Sequence, residues 1–128
     1  MKPELFGRLP PGVRVVGQVP DVRRYLRDAR VVVGPVFFGG GVPNKVLESA
    51  AGRRPTVVSP YVARTLGDAD GFAVGEHSSQ WSEALIRYLV DPAAADADGL
   101  TAYRNVEANY SLARWHGDML KLEAMVGA

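Results

Sequence analysis

Three consecutive glycines, Gly39-Gly40-Gly41, stand between an apolar run and the start of a helix, and they constrain this chain more than any other feature. Ahead of them, Val31-Val32-Val33-Gly34-Pro35-Val36 has the near-continuous apolar character of a parallel strand buried on both faces. Behind them, Val42-Pro43-Asn44-Lys45-Val46-Leu47-Glu48 opens a helix over about 43–51, with proline favourable at the first helical position. A loop without Cβ atoms lets backbone N–H groups approach a ligand closely. A helix N-terminus adds unpaired N–H groups and a positive dipole end. Strand, glycine loop and helix together predict a place to hold an anion, most often a phosphate.

The flanking sequence repeats the alternation. Val13-Arg14-Val15-Val16 reads as a short strand closed by the turn Gly17-Gln18-Val19-Pro20, and Asp21 reads as the cap of a helix over about 22–29. Thr56-Val57-Val58-Ser59 is the next strand, closed by Pro60, with a helical turn over 61–66. Gly71-Phe72-Ala73-Val74 is a last short strand. Ser78 or Ser79 caps a helix carrying Trp81, Ala84, Leu85, Tyr88 and Leu89 at helical spacing. Asp91-Pro92 starts another, running to about Asn109. Ser111 caps a final helix with one apolar stripe, Leu112, Trp115, Met119, Leu122 and Val126. The expectation is one α/β domain over 1–128: a Rossmann-like parallel sheet of about four strands in strand–helix units over 10–76, then helices over 78–127. Ligands of such sheets bind beyond the carboxyl ends of the strands, here Gly17 to Pro20, Pro35 to Val42, Ser59-Pro60 and Gly75 to Ser78.

Composition narrows the function classes. A chain of 128 residues holds one core. The formal net charge of +1 exerts no global pull toward nucleic acid or membrane. No apolar run approaches the roughly 20 residues that span a bilayer, and residues 1–4 lack a secretory pattern. Zero cysteines exclude disulfides and thiolate chemistry and fit a cytoplasmic protein. The two histidines, His77 and His116, are far apart, and Asp68 and Asp70 read as a solvated turn, so no metal site is expected.

Helical geometry sorts the glycine-loop helix. At roughly 100° per residue, Asn44, Lys45 and Glu48 share one side, while Val46, Leu47, Ala50 and Ala51 take the other. A carboxylate there can accept from sugar hydroxyls, and an ammonium can pair with phosphate as a point charge. Lys45 and Glu48 are also an i,i+3 pair, which on a solvated face contributes a few tenths of a kcal/mol (~0.3) and nothing more. Arg23, Arg24, Arg27, Arg30, Arg53 and Arg54 read as a solvated basic face or as a phosphate site.

These residues taken in order resemble the C-terminal, donor-binding half of GT-B glycosyltransferases, most closely the retaining group 1, or family four. The likeness runs from about Pro10 to Gly127. It is carried by Val15-Val16-Gly17-Gln18-Val19-Pro20-Asp21, Ala29-Arg30-Val31-Val32-Val33-Gly34-Pro35, Gly41-Val42-Pro43-Asn44-Lys45-Val46-Leu47-Glu48, Gly52-Arg53-Arg54-Pro55-Thr56-Val57-Val58, Leu89-Val90-Asp91-Pro92, and Asn109-Tyr110-Ser111 ahead of Trp115. The resemblance implies that Glu48 bonds the ribose of a nucleoside-diphosphate sugar such as a UDP- or GDP-sugar. It implies that Gly39, Gly40, Gly41, Val42, Asn44 and Lys45 meet the diphosphate or sugar. It sets Gly17, Gln18 and Val19 beside the base, with Ser59 and Pro60 flanking the cleft. Where many members carry a second glutamate eight positions before the ribose glutamate, this chain has Gly40.

The resemblance also implies an incomplete domain. Family members place two further β-α units ahead of the strand at Val13, and a whole N-terminal domain ahead of those. In a sheet of order 3-2-1-4-5-6 the strands at Val13 and Val31 would not be neighbours. The expected activity is hexosyl transfer to a hydroxyl acceptor by the complete enzyme, with no cofactor or metal and with the isolated chain inactive. The expected partners are the nucleotide-sugar, a missing N-terminal half or another copy in a strand-exchanged or edge-paired dimer, and a membrane-associated acceptor at the inner face of the membrane. Nucleic acid is not among them. The alternative is a non-catalytic, nucleotide-binding or self-associating Rossmann-like fragment.

Overall fold

The computed structural model describes residues 7–127; residues 1–4, read above as lacking a secretory pattern, lie outside that range. The elements run α1 (Arg23–Asp28), β1 (Val32–Gly34), α2 (Asn44–Ala51), β2 (Thr56–Val58), α3 (Pro60–Leu66), β3 (Phe72–Val74), α4 (Ser78–Val90), α5 (Pro92–Tyr110) and α6 (Leu112–Gly127). The three strands form a parallel sheet in the order β1-β2-β3. Val32 lies opposite Thr56, and Val57 opposite Ala73.

The sheet alternates its faces at the period of two that extended backbone imposes. Val58 and Phe72 point into a core with Val46 and Ala50 of α2, Val62 and Leu66 of α3, and Ala102 and Val106 of α5. Val57 points to the opposite face, against Tyr88 of α4 and Ala95 of α5, with Ala73 and Trp81 beside it. All three residues of β2 are fully buried. Thr56 is the polar member, and its hydroxyl meets Ser49 Oγ at 2.8 Å and the Arg54 carbonyl at 2.9 Å, while Ser49 Oγ also meets the Val46 carbonyl at 2.8 Å. Two hydroxyl protons make two of these three contacts at a time; with Ser49 Oγ donating to Thr56 Oγ1 and Thr56 Oγ1 to the Arg54 carbonyl, α2 is tied to β2 and each proton has an acceptor. Asn105, also buried, donates from Nδ2 to the carbonyls of Asp68 (3.0 Å) and Asp70 (3.1 Å) and anchors the loop before β3 to α5.

Several expectations are corrected. The run at 29–36 forms a strand for only three residues. Val13–Val16 is not a strand: among the described residues it has no sheet partner, and Val13 and Val16 are exposed. A short apolar run acquires ladder bonds only if another strand lies alongside. Pro43 is the N-cap of α2 and not its first residue. Pro60 does more than end β2; it is the first residue of α3, whose cap Ser59 accepts from the Val62 N–H at 3.3 Å. His77, not Ser78 or Ser79, is the N-cap of α4, and Gln80 Oε1 reaches back to the N–H groups of Glu76 (2.8 Å) and His77 (3.0 Å). Asp21 sits one position before the α1 N-cap Val22, although its carboxylate still accepts from the Arg23 N–H at 2.9 Å. The apolar stripe of α6, Trp115 included, is exposed.

Gly99 decides how closely α5 can approach α2. A Cβ there would lie 2.4 Å from the Arg53 carbonyl oxygen. Alanine in a helix interior ordinarily gains about 1 kcal/mol over glycine. Here that gain is overridden by backbone that has to move, so Gly99→Ala is expected to destabilise the fold by about 1–3 kcal/mol. Urea unfolding of the two proteins measures the sign; a stabilised variant would mean that α5 stands further from the Arg53 turn.

Candidate functional site

The corner predicted from the glycines is exposed and is built by three elements. The chain leaves β1, turns at Gly34 (Val36 N–H to the Gly34 carbonyl, 2.9 Å) and runs through the glycines into α2. Gly39 and Gly41 adopt φ of 153° and 145°, values that side chains with a Cβ rarely take. An added Cβ at Gly40 or Gly41 would meet nothing within 4 Å, so the backbone there faces open space. Gly39–Gly41, Val42, Asn44 and Lys45 line a depression of about 540 Å³. The N-cap of α2 is Pro43, so no side chain caps the first N–H groups, and the helix end stays available to an outside acceptor.

This corner is fastened from below by α3. Ser59 Oγ donates to the Val36 carbonyl, and the Tyr61 hydroxyl donates to the Gly39 carbonyl, so the first half of the loop hangs on one helix start. Ser59 is fully buried and supports the loop without surface of its own, and Pro60 is half-buried beside it. Tyr61 was missed in the sequence reading because it stood in a helical turn with no motif around it.

Glu48 lies one turn further along α2, and it faces a different hollow. About 390 Å³ in size, this hollow lies between α1 and α2 and is lined by Glu48 with Arg23, Leu26, Arg27 and Arg54. Asn44, Lys45 and Glu48 are all exposed, as the helical geometry predicts. No ion pair joins Lys45 to Glu48 among the described residues. Among these arginines, Arg23 is held by Asp21 through bonds from Nε (2.9 Å) and Nη2 (3.1 Å). That pairing lowers the Asp21 carboxyl below its usual range and raises the Arg23 guanidinium. Arg54 Nε is buried without a hydrogen-bond partner among the described residues. Gly17 and Gln18 are exposed, and Val19 lines a third, smaller depression with Pro20, Asp21, Arg24 and Tyr25. The structure therefore brings the glycine loop, Asn44 and Lys45 together, sets Glu48 on the adjacent turn among arginines, and leaves residues 17–19 beyond α1.

One sequence signal was overlooked. Up to Leu66 the chain carries eleven Lys and Arg against four Asp and Glu, a balance of +7; after Leu66 it carries four against ten, a balance of −6. The net +1 hides this partition, and every residue of the two hollows lies in the basic part. Among the described residues no cluster of His, Asp or Glu has the geometry of a metal site, and no helix is long and apolar enough to cross a membrane.

A parallel α/β sheet that presents a glycine loop and an uncapped helix start beyond its strand ends places this chain among the Rossmann-like folds. Its family follows from sequence: the profile of the Glycosyl transferases group 1 family matches residues 2–91, and the chain belongs to that family. It is 30% identical over 103 residues to the lipopolysaccharide core biosynthesis mannosyltransferase LpcC of Rhizobium leguminosarum bv. viciae. That alignment covers 77% of this chain and 29% of the relative, so the chain spans less than a third of that protein's length. No solved structure matches.

Tyr61→Phe isolates the fastening of the loop, because it deletes one donor and keeps the ring. The expected outcome is faster amide exchange across 37–43, with global stability lowered by about 0.5–1.5 kcal/mol. Unchanged exchange in that loop would show that Ser59 alone holds it.

Proposed function

We propose that this chain is the donor-binding part of a glycosyltransferase that moves a hexose from a nucleoside-diphosphate sugar to a hydroxyl acceptor. The observation that carries the reading is the exposed glycine corner with an uncapped α2 start and Lys45 beside it, in a chain of the glycosyl transferases group 1 family. The first N–H groups of α2 and the Lys45 ammonium supply positive charge where a diphosphate gathers negative charge as it leaves. Glu48 accepts from the ribose hydroxyls one turn along, and Arg23, Arg27 and Arg54 keep its surroundings cationic. Holding the donor at both places fixes the anomeric carbon for attack by the acceptor oxygen. No metal is needed for this arrangement, since the helix start and the lysine carry the charge.

The rest of the reading concerns what the chain works with. The relative is named for lipopolysaccharide core biosynthesis and for mannosyl transfer. A mannose-bearing donor and an amphiphilic acceptor at the inner face of the membrane are therefore the first substrates to try. Acceptor binding and transfer require the partner half of the enzyme, and the isolated chain is expected to bind donor without turning it over.

Calorimetry with UDP, GDP and ADP, and with the corresponding sugar nucleotides, tests the site. Binding of at least one is expected, and Glu48→Ala is expected to weaken it by about 1–3 kcal/mol. Failure of every nucleotide to bind removes the donor site. An unchanged affinity in the variant reduces Glu48 to a surface charge. Binding that persists while no sugar transfer appears, even with the remaining part of the enzyme supplied, would favour a non-catalytic nucleotide-binding module.

A further inference from the structure

The outer side of α2 carries more than the residues of the glycine corner. At about 100° and about 1.5 Å per residue, Asn44, Lys45, Glu48, Ala51 and the C-cap Gly52 follow one another along a single stripe. All five are exposed. The stripe is polar up to Glu48 and then runs out of side chain. There α1 stands across from it, and the two enclose the hollow of about 390 Å³ that Leu26 and Arg27 line with Glu48, Ala51, Gly52 and Arg54. Small-molecule sites span about 300–1,000 Å³. Half-buried Leu26 and the small Ala51 and Gly52 give this hollow its apolar wall. The Arg54 stem passes beside Gly52, where an added Cβ would lie 3.9 Å from Arg54 Cγ, and the Arg54 N–H is tied to the Ser49 carbonyl at 2.9 Å.

We infer that this hollow holds the nucleobase of the donor and takes a base that carries a carbonyl oxygen, guanine or uracil, over adenine. The inference rests on the donor site proposed above and assigns the remaining part of that ligand. Covalent order fixes the sequence as diphosphate, ribose, base. With the diphosphate at the start of α2 and the ribose at Glu48, the base lies about 5 Å further along the stripe, against Leu26, Ala51 and Gly52. A flat ring suits that place, because positions 51 and 52 bring a single Cβ between them. The likeness of the sequence set the base beside Gly17, Gln18 and Val19, but none of these lines the hollow, and Val19 opens onto a separate depression. Glu48, the one acceptor among the lining side chains, is taken by the ribose. The groups left to read the base are guanidiniums, which donate hydrogen bonds and accept none. Arg23 is held by Asp21, Arg27 has only Asp28 at 3.8 Å, and Arg54 forms no ion pair among the described residues. Guanine and uracil present a carbonyl oxygen where adenine presents an amino group. An amino group set against a guanidinium brings two donors together and satisfies neither.

Calorimetry on the full chain with pyrophosphate, GDP, UDP and ADP separates the steps. GDP or UDP is expected to bind at least tenfold more tightly than ADP. Ala51→Leu fills the hollow from an exposed position and leaves the core alone. It is expected to weaken GDP and UDP more than tenfold and to leave pyrophosphate binding unchanged. Arg54→Met keeps an unbranched stem and removes the donors, and it is expected to bring GDP and UDP down to the affinity of ADP. Circular dichroism checks that each variant folds. Failure of pyrophosphate and of every nucleotide to bind removes the donor site and this inference with it. Nucleotides whose affinity Ala51→Leu leaves unchanged overturn the inference while the donor site stands, and a loss with Val19→Asp in its place puts the base beside residues 17–19. ADP that binds as tightly as GDP and UDP overturns the choice of base.

Discussion

The hydroxyl of Ser59 sits where three parts of the molecule meet. It follows directly on β2, the fully buried middle strand, and is itself fully buried. As an acceptor it satisfies the Val62 N–H and lets α3 begin; as a donor it holds the Val36 carbonyl at the exit of β1. A hydroxyl is the smallest side chain that can do both at once. With Tyr61 on the Gly39 carbonyl, the result is a rigid support under a loop whose glycines lack any side chain to pack. The glycine corner can thus stay open to a ligand and still hold its shape, because its order comes from α3 and not from the loop itself.

The parts of the fold that were legible in the sequence are those fixed by local rules. The break from apolar run to glycines to helix marks the corner after β1 because strand composition, Cβ-free backbone and helix start occur side by side. Helical periodicity likewise assigns Val46 and Ala50 to the core and Asn44, Lys45 and Glu48 to the outside, and the structure places them so. What escaped depends on partners distant in sequence. Val13–Val16 has strand composition, but a strand is a pairing, and none of the described residues pairs with it. Asn105 anchors a loop more than thirty positions away. Spacing alone reveals nothing of that, since a buried asparagine and a surface asparagine look alike in a helix.

The same distinction explains the two halves of the candidate site. Lys45 and Glu48 are close in sequence, so their common face was predictable. Whether they share one cavity depends on what packs beside α2, and α1 delivers its arginines to Glu48 and not to Lys45. An extended ligand with an anionic end and a hydroxyl-bearing end suits two adjoining hollows on successive helical turns better than a compact ligand does. The nucleoside diphosphate proposed above has that form, with an anionic end and a hydroxyl-bearing end.

The partition of charge gives that arrangement a longer reach. Within one Debye length, about 8–10 Å at physiological salt, the hollows are influenced by the +7 part of the chain more than by its nominal +1. Arg23 remains an exception, since its charge is largely answered by Asp21 at 2.9 Å. Arg54 is the opposite case: it lines the hollow of Glu48 and takes part in no ion pair among the described residues. The acidic remainder of the chain, concentrated in the loop before β3 and in α4 to α6, lines neither hollow. Separating the signs in this way lets a chain of nearly zero net charge present a cationic face at the two hollows.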